Sequence, residues 1–565
     1  MMNSPAKNNR KNDWIQLILG LAMIIFLNII SSFIFTRVDL TSEKRFTISP
    51  ATKTLLKDLK DVVHVKIYLE GEFPAPFKKL RNATKEMLDE FRAYAGDNLT
   101  YEFINPSASN DQKERIQVYN LLADKGLQPT NLNVKSKDSK TEQFIFPGAI
   151  VSFGTSEYPV QLLKSRIGVS SEEMLTSSIE GLEYELANAI KRLTTIDHHK
   201  VAFLDGQGEL DTLSVADIYR TLQNYYEVNR VTIGGQLNAL DGINALIIAK
   251  PTLPFTEYDK FIIDQFVMKG GKIFWLVDMM RASMDSLSKT TNFLSTNMEL
   301  NLDDILFKYG VRINPDLVQD EKGAPLKMIT GKVGNQNREE LKAWFYFPLV
   351  IPTGHHPIVN ALNAVRFEFS SSLDTISVPD VKKTILLTSS DHAKSIYTPV
   401  LVSFSIMETD ADIRQFNQKN IPLAVLLEGK FQSLYKGRIP KTLLQNSDFH
   451  FTENSKQNKM IVVADGDVIK NTVLRSKGMY YPLEYDRNTN QYYGNKNFII
   501  NALDYLLDDS GLITVRAKQV KLRLLDKTII TEGVLKWQIL NIAIPIFILI
   551  VVGIVWNLIR RRRFT

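Results

Sequence analysis

Three rhythms of apolar and polar residues run along this chain. Two long stretches carry no charge, Trp14–Phe35 and Trp537–Ile559. Between them, short alternating or fully apolar stretches take turns with helical stripes. "VVHVKIYLEG" (Val62–Gly71) alternates like a half-buried strand. "FKKLRNATKEMLDEFRAYAG" places Leu80, Thr84, Met87, Leu88 and Phe91 on one stripe and ends at Gly96, which predicts a helix. "LTYEFINP" is a strand stopped by Pro106, and "QKERIQVYNLLADKG" a second helix closed by Gly126. "FPGAIVSFGTSEYPVQLL" reads as a hairpin turning at Gly154–Glu157. The resulting order, β-α-β-α-β-β, is that of a thioredoxin-like unit. Ser49 followed by Pro50 marks a helix start ahead of it.

A helix over Ser171–Leu193 leads to a second pattern. "HKVAFLDGQGELD" is a strand running into a glycine turn, and "VADIYRTLQNYYEVNRVTI" is helix then strand. "INALIIAKP" is apolar on both faces, as a doubly covered strand must be. In "PFTEYDKFIIDQFVMKGGKIFWLVD", Thr256 and Asp259 make a capping box. Tyr258, Phe261, Ile262 and Phe266 form a buried face, and Gly270–Gly271 end the helix before the next buried strand. Strands in alternation with helices predict right-handed crossovers and a mainly parallel, Rossmann-like sheet. "KKTILLTSS", "PLAVLLEG" and "NKMIVVADGD" are later strands, and "NKNFIINALDYLL" is a late amphipathic helix. Ser286–Asn301 and Asn335–Arg338 read as loops or short helices.

The two uncharged stretches are long enough to matter. At 1.5 Å per helical residue, Trp537–Ile559 spans roughly 34 Å, against about 30 Å for a hydrocarbon core. Arg560–Arg563 follow, and each arginine costs about 2.5–3.5 kcal/mol at the bilayer centre. A buried core helix is the competing reading of this stretch, and a signal peptide that of Trp14–Phe35. The latter exceeds the usual apolar length of a signal and lacks an A-x-A site. The net charge of +6 divides into +2 before Trp14 and +4 after Ile559, so the segment between is neutral. By the positive-inside rule both termini are expected in the cytoplasm and the bulk of the chain in the periplasm. The expected organisation is therefore a tail (1–13), a membrane helix (14–35), a thioredoxin-like α/β unit (36–195) and a Rossmann-like α/β domain (196–520). A stalk (521–536), a second membrane helix (537–559) and a basic tail (560–565) complete it.

Composition narrows the chemistry. Hydrophobic residues make up 44% and charged residues 23%, ordinary for a globular chain. The neutral outer segment lacks the basic footprint of a nucleic-acid partner. Cysteine is absent, which excludes disulfides, thiol catalysis and cysteine zinc sites. The pairs His198–His199 and His355–His356 have no metal-ligand spacing, and neither a P-loop nor a G-x-S-x-G elbow occurs. The sequence calls for no metal and no cofactor.

Open α/β sheets bind ligands at the carboxyl ends of their strands. Three such ends carry polar groups: Asp205, Gly206, Gly208 and Glu209; Lys250–Pro254; and Asp278. Asp465 and Asp467 form a fourth. These are candidate ligand-binding residues, and equally turns that need glycine for backbone freedom. In the first uncharged stretch Gln16, Gly20, Asn28 and Ser31 share a helix face, and the second holds Asn541, Gly553 and Asn557. Small and polar residues on one face point to helix–helix contact, with a partner protein or a second copy, while Asn28 bonding to its own backbone is the alternative.

Three regions resemble the GldG family, the auxiliary, so-called substrate-binding components of gliding-motility-associated ABC transporters. They are "DLTSEKRFTISPATKTLLKDLKDVVHVKIYL", "KVAFLDGQGELD" and "IVVADGD" with "NKNFIINALDYLL". Gly206, Gly208 and Glu209 match a Gly-x-Gly-Glu turn of that family, and Gly466 and Asp467 a Gly-Asp pair. The resemblance implies an inner-membrane subunit of a transporter for gliding motility or envelope secretion. It implies an integral-membrane permease and a cytoplasmic ATPase as partners, and no catalysis. The Rossmann-like region is also similar to one in ciliary transport complexes. Two other functions stay open: a solute receptor using the crevice near Asp205–Glu209, and an anchored hydrolase.

Overall fold

The computed structural model describes residues 9–33, 47–135, 140–195, 198–333, 336–407, 412–438, 451–508, 510–517 and 533–564. The chain divides into two compact units, one of Met1–Arg45 with Val520–Thr565 and one of Phe46–Gln519. Most of the expected juxtamembrane stalks, Thr36–Arg45 and Leu522–Lys536, lies outside the described residues.

In the first unit, Asn9–Phe33 is helix α1. Its described apolar part, Trp14–Phe26, includes Gln16 and Gly20, while the side chains of Asn28 and Ser31 lie outside the described residues. Among the described residues, Val534–Arg562 is the helix long and apolar enough to cross a membrane, its most apolar 18-residue stretch having a mean hydropathy of 2.8. It takes up its proline by a local change of pitch. Pro545 offers no N–H to the preceding turn, and Ile539–Ala543 widens into a π-helical turn just before it. Asn541 sits in that turn and donates its side-chain amide to the Trp537 carbonyl at 2.9 Å. Its N–H is thus satisfied within its own helix, the arrangement raised at the sequence level only for Asn28.

In the second unit, Ser49 caps helix α2 (Pro50–Lys57), its hydroxyl accepting from Thr52 N–H at 3.2 Å. Then follow β1 (Val63–Ile67), α3 (Ala75–Ala95), β2 (Leu99–Phe103), α4 (Gln112–Asp124), β3 (Thr130–Lys135), β4 (Lys140–Ile145), β5 (Gly148–Phe153) and β6 (Ser156–Gln161). Four strands form one sheet in the order β2-β1-β5-β6, with β1 parallel to β2 and antiparallel to β5. The β3–β4 hairpin is an addition to the expected order. Its first strand reads TNLNVK, too polar to stand out from a loop. The helix expected over Ser171–Leu193 is two helices, α5 (Ser171–Glu180) and α6 (Leu182–Thr194), interrupted at Gly181. Glycine gains least from the helical state, so the break falls there.

Next come β7 (Lys200–Asp205), α7 (Ala216–Gln223), β8 (Glu227–Thr232), β9 (Ala245–Ala249), α8 (Glu257–Met268) and β10 (Lys272–Leu276). A seven-stranded sheet takes them in the order Val381–Thr388, Pro422–Gln432, Asn454–Val463, β10, β9, β7, β8. The five strands from Asn454–Val463 to β8 are parallel, and Pro422–Gln432 runs antiparallel to both of its neighbours. Side chains alternate between two cores, as a pleated strand demands. Phe203, Ile247 and Phe274 face one core with α7 and the helix Asn495–Leu507. Leu204, Ile248 and Trp275 face the other, with α8.

Burial of α8 exceeds the single face read from the sequence, since every residue from Asp259 to Met268 is buried. Its polar groups are satisfied from neighbouring segments. Lys260 reaches Asp304 at 2.8 Å, and Asp264 accepts from Tyr309 at 2.9 Å and Ser433 at 2.6 Å. The segment expected as loops or short helices holds a short helix, Met284–Lys289, and also a strand, Asn292–Ser295. Arg338 lies in the strand Gln336–Val350, which pairs with Gly323–Val333 as a long hairpin. Gly331 and the dense charge along that stretch hide the strand period.

Candidate functional site at the strand ends

The candidate residues fall into two networks at the carboxyl ends of the parallel strands. The first joins β9, β10 and the strand Asn454–Val463. Lys250, one residue past β9, adopts a left-handed backbone (φ +56°). Its ammonium lies 2.9 Å from Asp278 and pairs with Asp467, which also accepts from Lys470 at 3.0 Å. Asp278 accepts the Gly466 N–H, and Asp465 accepts from Asp467 N–H at 2.7 Å and from Glu368 N–H at 2.5 Å. All three carboxylates are buried, with oxygens within 4.8 Å of one another. Lysine 250 is itself only 14% exposed.

Burial and neighbouring charge pull the groups of this cluster in opposite directions. Burial and the negative charges of Asp278 and Asp467 push the Asp465 carboxyl well above the ordinary range. Burial likewise raises Asp278, partly countered by Lys250. Burial would raise Asp467 too, but Lys250 and Lys470 hold it down to about 2. Burial disfavours the Lys250 cation, and the charges of Asp278 and Asp467 outweigh it, so its pKa is raised. The ammonium occupies the position a bound cation would take among these carboxylates. Gly466 makes the approach feasible: a Cβ there would lie 2.5 Å from Lys250 Cβ and 2.8 Å from its Cα.

The second network follows β7. Asp205 is held by Arg230, whose guanidinium also donates to the Leu210 carbonyl at 2.8 Å. Gly206 (φ +130°) and Gly208 (φ +72°) carry the turn, and a Cβ on Gly208 would meet Thr252 Oγ1 at 2.3 Å. Glu209 accepts from Gln207 N–H at 2.8 Å, and its carboxyl is pushed up by burial. Strands β8 and β9 flank β7, and α7 and α8 cover opposite faces, so the switch point of the sheet lies between β7 and β9. There the two loops are bonded to each other. Leu210 N–H donates to Ala249, and Thr252 and Leu253 N–H both donate to Gln207, at 2.9–3.0 Å. Beside this seam an open cleft of about 550 Å³ is lined by Gly206, Gln207, Thr232, Gly234, Gly235, Thr256, Tyr258 and Asp259.

The structure thus brings Asp278, Asp465 and Asp467 together and places Asp205, Gly206, Gly208 and Glu209 in a separate turn. Sequence reasoning placed Lys250 at a strand end without seeing it as a counter-ion, and it missed Lys470 and Arg230. Lys250 follows an all-apolar strand, and a lone lysine at that boundary is the available signal. Of the histidines, His198 Nδ1 lies 3.1 Å from the Tyr225 carbonyl and His356 packs on Tyr505.

Comparison with known proteins adds a family. A domain of unknown function matches residues 42–152. An uncharacterized protein of Borreliella burgdorferi is 22% identical over 472 residues, covering 79% of this chain and 84% of that protein. A solved structure, the mmIFT52 N-terminal domain, is 14% identical, covers 55% of this chain and 98% of its own, and has a TM-score of 0.31. Residues 198–502, more than half of the chain, match the family described as an ABC-type uncharacterized transport system. The chain therefore belongs to this family of ABC-transport-system auxiliary components.

Proposed function

We propose that this chain is a non-catalytic, membrane-anchored auxiliary subunit of an ABC transporter of the GldG kind, serving gliding motility or envelope secretion. In this reading it crosses the inner membrane twice, at 14–35 and 537–559, with both termini cytoplasmic and Arg560, Arg561, Arg562 and Arg563 fixing that topology. The periplasmic part comprises a thioredoxin-like unit and a Rossmann-like domain. The membrane helices dock on a permease through Gln16, Gly20, Asn28, Ser31, Asn541, Gly553 and Asn557. Through the permease they sense a cytoplasmic ATPase, and the stalks pass its motion outward.

The observation that carries this reading is the state of the strand ends. Where α/β sheets hold substrates, this sheet holds its own Lys250 ammonium and a seam of backbone hydrogen bonds. Family membership and the apolar helix Val534–Arg562 agree with a transporter-associated role. Mild solubilisation of native membranes tests it. A tagged chain is expected to co-purify with a permease and an ATPase, and recovery of the chain alone contradicts the proposal.

A second reading, a tethered solute receptor, has one observation in its favour. Gln207 lines the open cleft, and among the described residues its side-chain carbonyl has no hydrogen-bond partner. A panel of sugars, peptides and ions should raise the melting temperature of the full chain if that reading holds. No shift across the panel removes it.

A further inference from the structure

Both ends of the second unit arrive at one helix. At its beginning, Ser49 N–H donates to Glu183 at 2.6 Å, and Thr52 donates to the same oxygen at 3.0 Å. At its end, Arg516 lies 3.6 Å from Glu185 and its guanidinium stacks on the Tyr184 ring at 5.1 Å. Glu183, Tyr184 and Glu185 are consecutive residues in the first turn of α6. The apolar contacts repeat the pattern. Ile48 from the entering segment and Leu512, Ile513 and Val515 from the leaving one share a core with Leu182, Leu186 and Ile190 of α6.

Arg516 does more than cap this contact. It donates to the carbonyls of Pro357 and Asn360 and to Asn501, at 2.9–3.1 Å, all parts that pack on the seven-stranded sheet. The far end of α6 reaches the same sheet. Arg192 donates to Asp504 at 2.7 Å while stacked 3.5 Å above Tyr225, and Lys191 reaches Asp508 at 2.9 Å. Asp504 also accepts from Tyr226 at 2.6 Å and Tyr184 at 3.3 Å. Helix α6 therefore touches the entering segment, the leaving segment and the helix Asn495–Leu507, with a buried or half-buried charged group at each contact.

We infer that α6 is a mechanical junction: the two segments that lead toward the apolar helices are clamped side by side on Glu183 and Glu185, and a load on either reaches the seven-stranded sheet through Arg192 and Arg516. This deepens the transporter reading and rests on it only for the source of the load. The junction itself is a property of the folded chain.

Hydrogen exchange of the full chain in detergent micelles tests it, with Glu183→Gln and Arg516→Met as separate variants. Removing one buried charge-assisted contact should speed exchange about tenfold at 47–57 and at 510–517 together in either variant, with β7, β9 and β10 unchanged. Acceleration confined to 47–57 in Glu183→Gln and to 510–517 in Arg516→Met overturns the junction. Should Glu183→Gln loosen the whole chain, Thr52→Val removes a single hydrogen bond to the same carboxylate and is read by the same criterion. Failure to co-purify with a permease while exchange stays coupled would sink the transporter reading and spare the junction. Uncoupled exchange with association intact does the reverse.

Discussion

Two Asp-Gly turns end strands of the same sheet, and they differ in almost everything but sequence. Asp205-Gly206 follows β7 at the surface, where side chains of Asp205 and Arg230 are 34% and 21% exposed. Asp465-Gly466-Asp467 follows a central strand, where Asp278 and Asp467 are each 3% exposed. Gly206 is needed for its backbone, at φ +130°. Gly466 has an ordinary φ of −82° and is needed for the space that Lys250 fills. Depth decides the outcome. At the edge an arginine clamps a carboxylate that water can still reach. In the centre, burial makes an uncompensated carboxylate costly, so Asp278 and Asp467 share a lysine and Asp465 is held by backbone N–H groups.

That contrast ranks the effects of substitution. Lys250→Met strands buried carboxylates and should cost about 3–5 kcal/mol, read as a large fall in the melting temperature of the full chain. Gly466→Ala overpacks the same contact and should cost about 1–3 kcal/mol without altering charge. Arg230→Ala breaks the shallower, half-buried clamp, for which about 1 kcal/mol is expected. A loss equal to that of Lys250→Met would erase the distinction between the two turns.

The smallest effect is in pH. Asp467, held at about 2, contributes stability that is complete above the ordinary carboxylate range and lost as pH falls toward 2. Asp465 and Asp278 are raised, so they act with the opposite sign: their contribution is present below the ordinary carboxylate range and is lost as pH climbs from that range through their raised values. Acid titration of the melting temperature should show a small gain and then a loss. A monotonic fall from neutral pH downward would contradict these charge states.

Much of the fold was legible because it repeats simple periods. The strand and helix around "INALIIAKP" and "PFTEYDKFIIDQFVM" show apolar residues where two cores need them. The helix Asn495–Leu507 has the bounds of its amphipathic stretch. The β3–β4 hairpin and the strand Gln336–Val350 were not legible, since polar or charged pleats carry little periodic signal. The strand-end aspartates could be named from the rule about carboxyl ends. Their pairings could not, because Lys250 and Arg230 reach them across the sheet from other strands. Asn541 shows a further limit: a polar residue in an apolar helix marks a need for a hydrogen bond, and its own backbone supplies the acceptor.

The central claim is that the carboxylate cluster at the ends of the central strands is filled from within by Lys250. Thermal unfolding of the full chain in detergent, with and without millimolar calcium or manganese, tests it most directly beside Lys250→Met. The account predicts no response of the native chain to either ion and a rise in melting temperature for the variant, whose freed carboxylates can take the cation. A saturable rise in the native chain would contradict it.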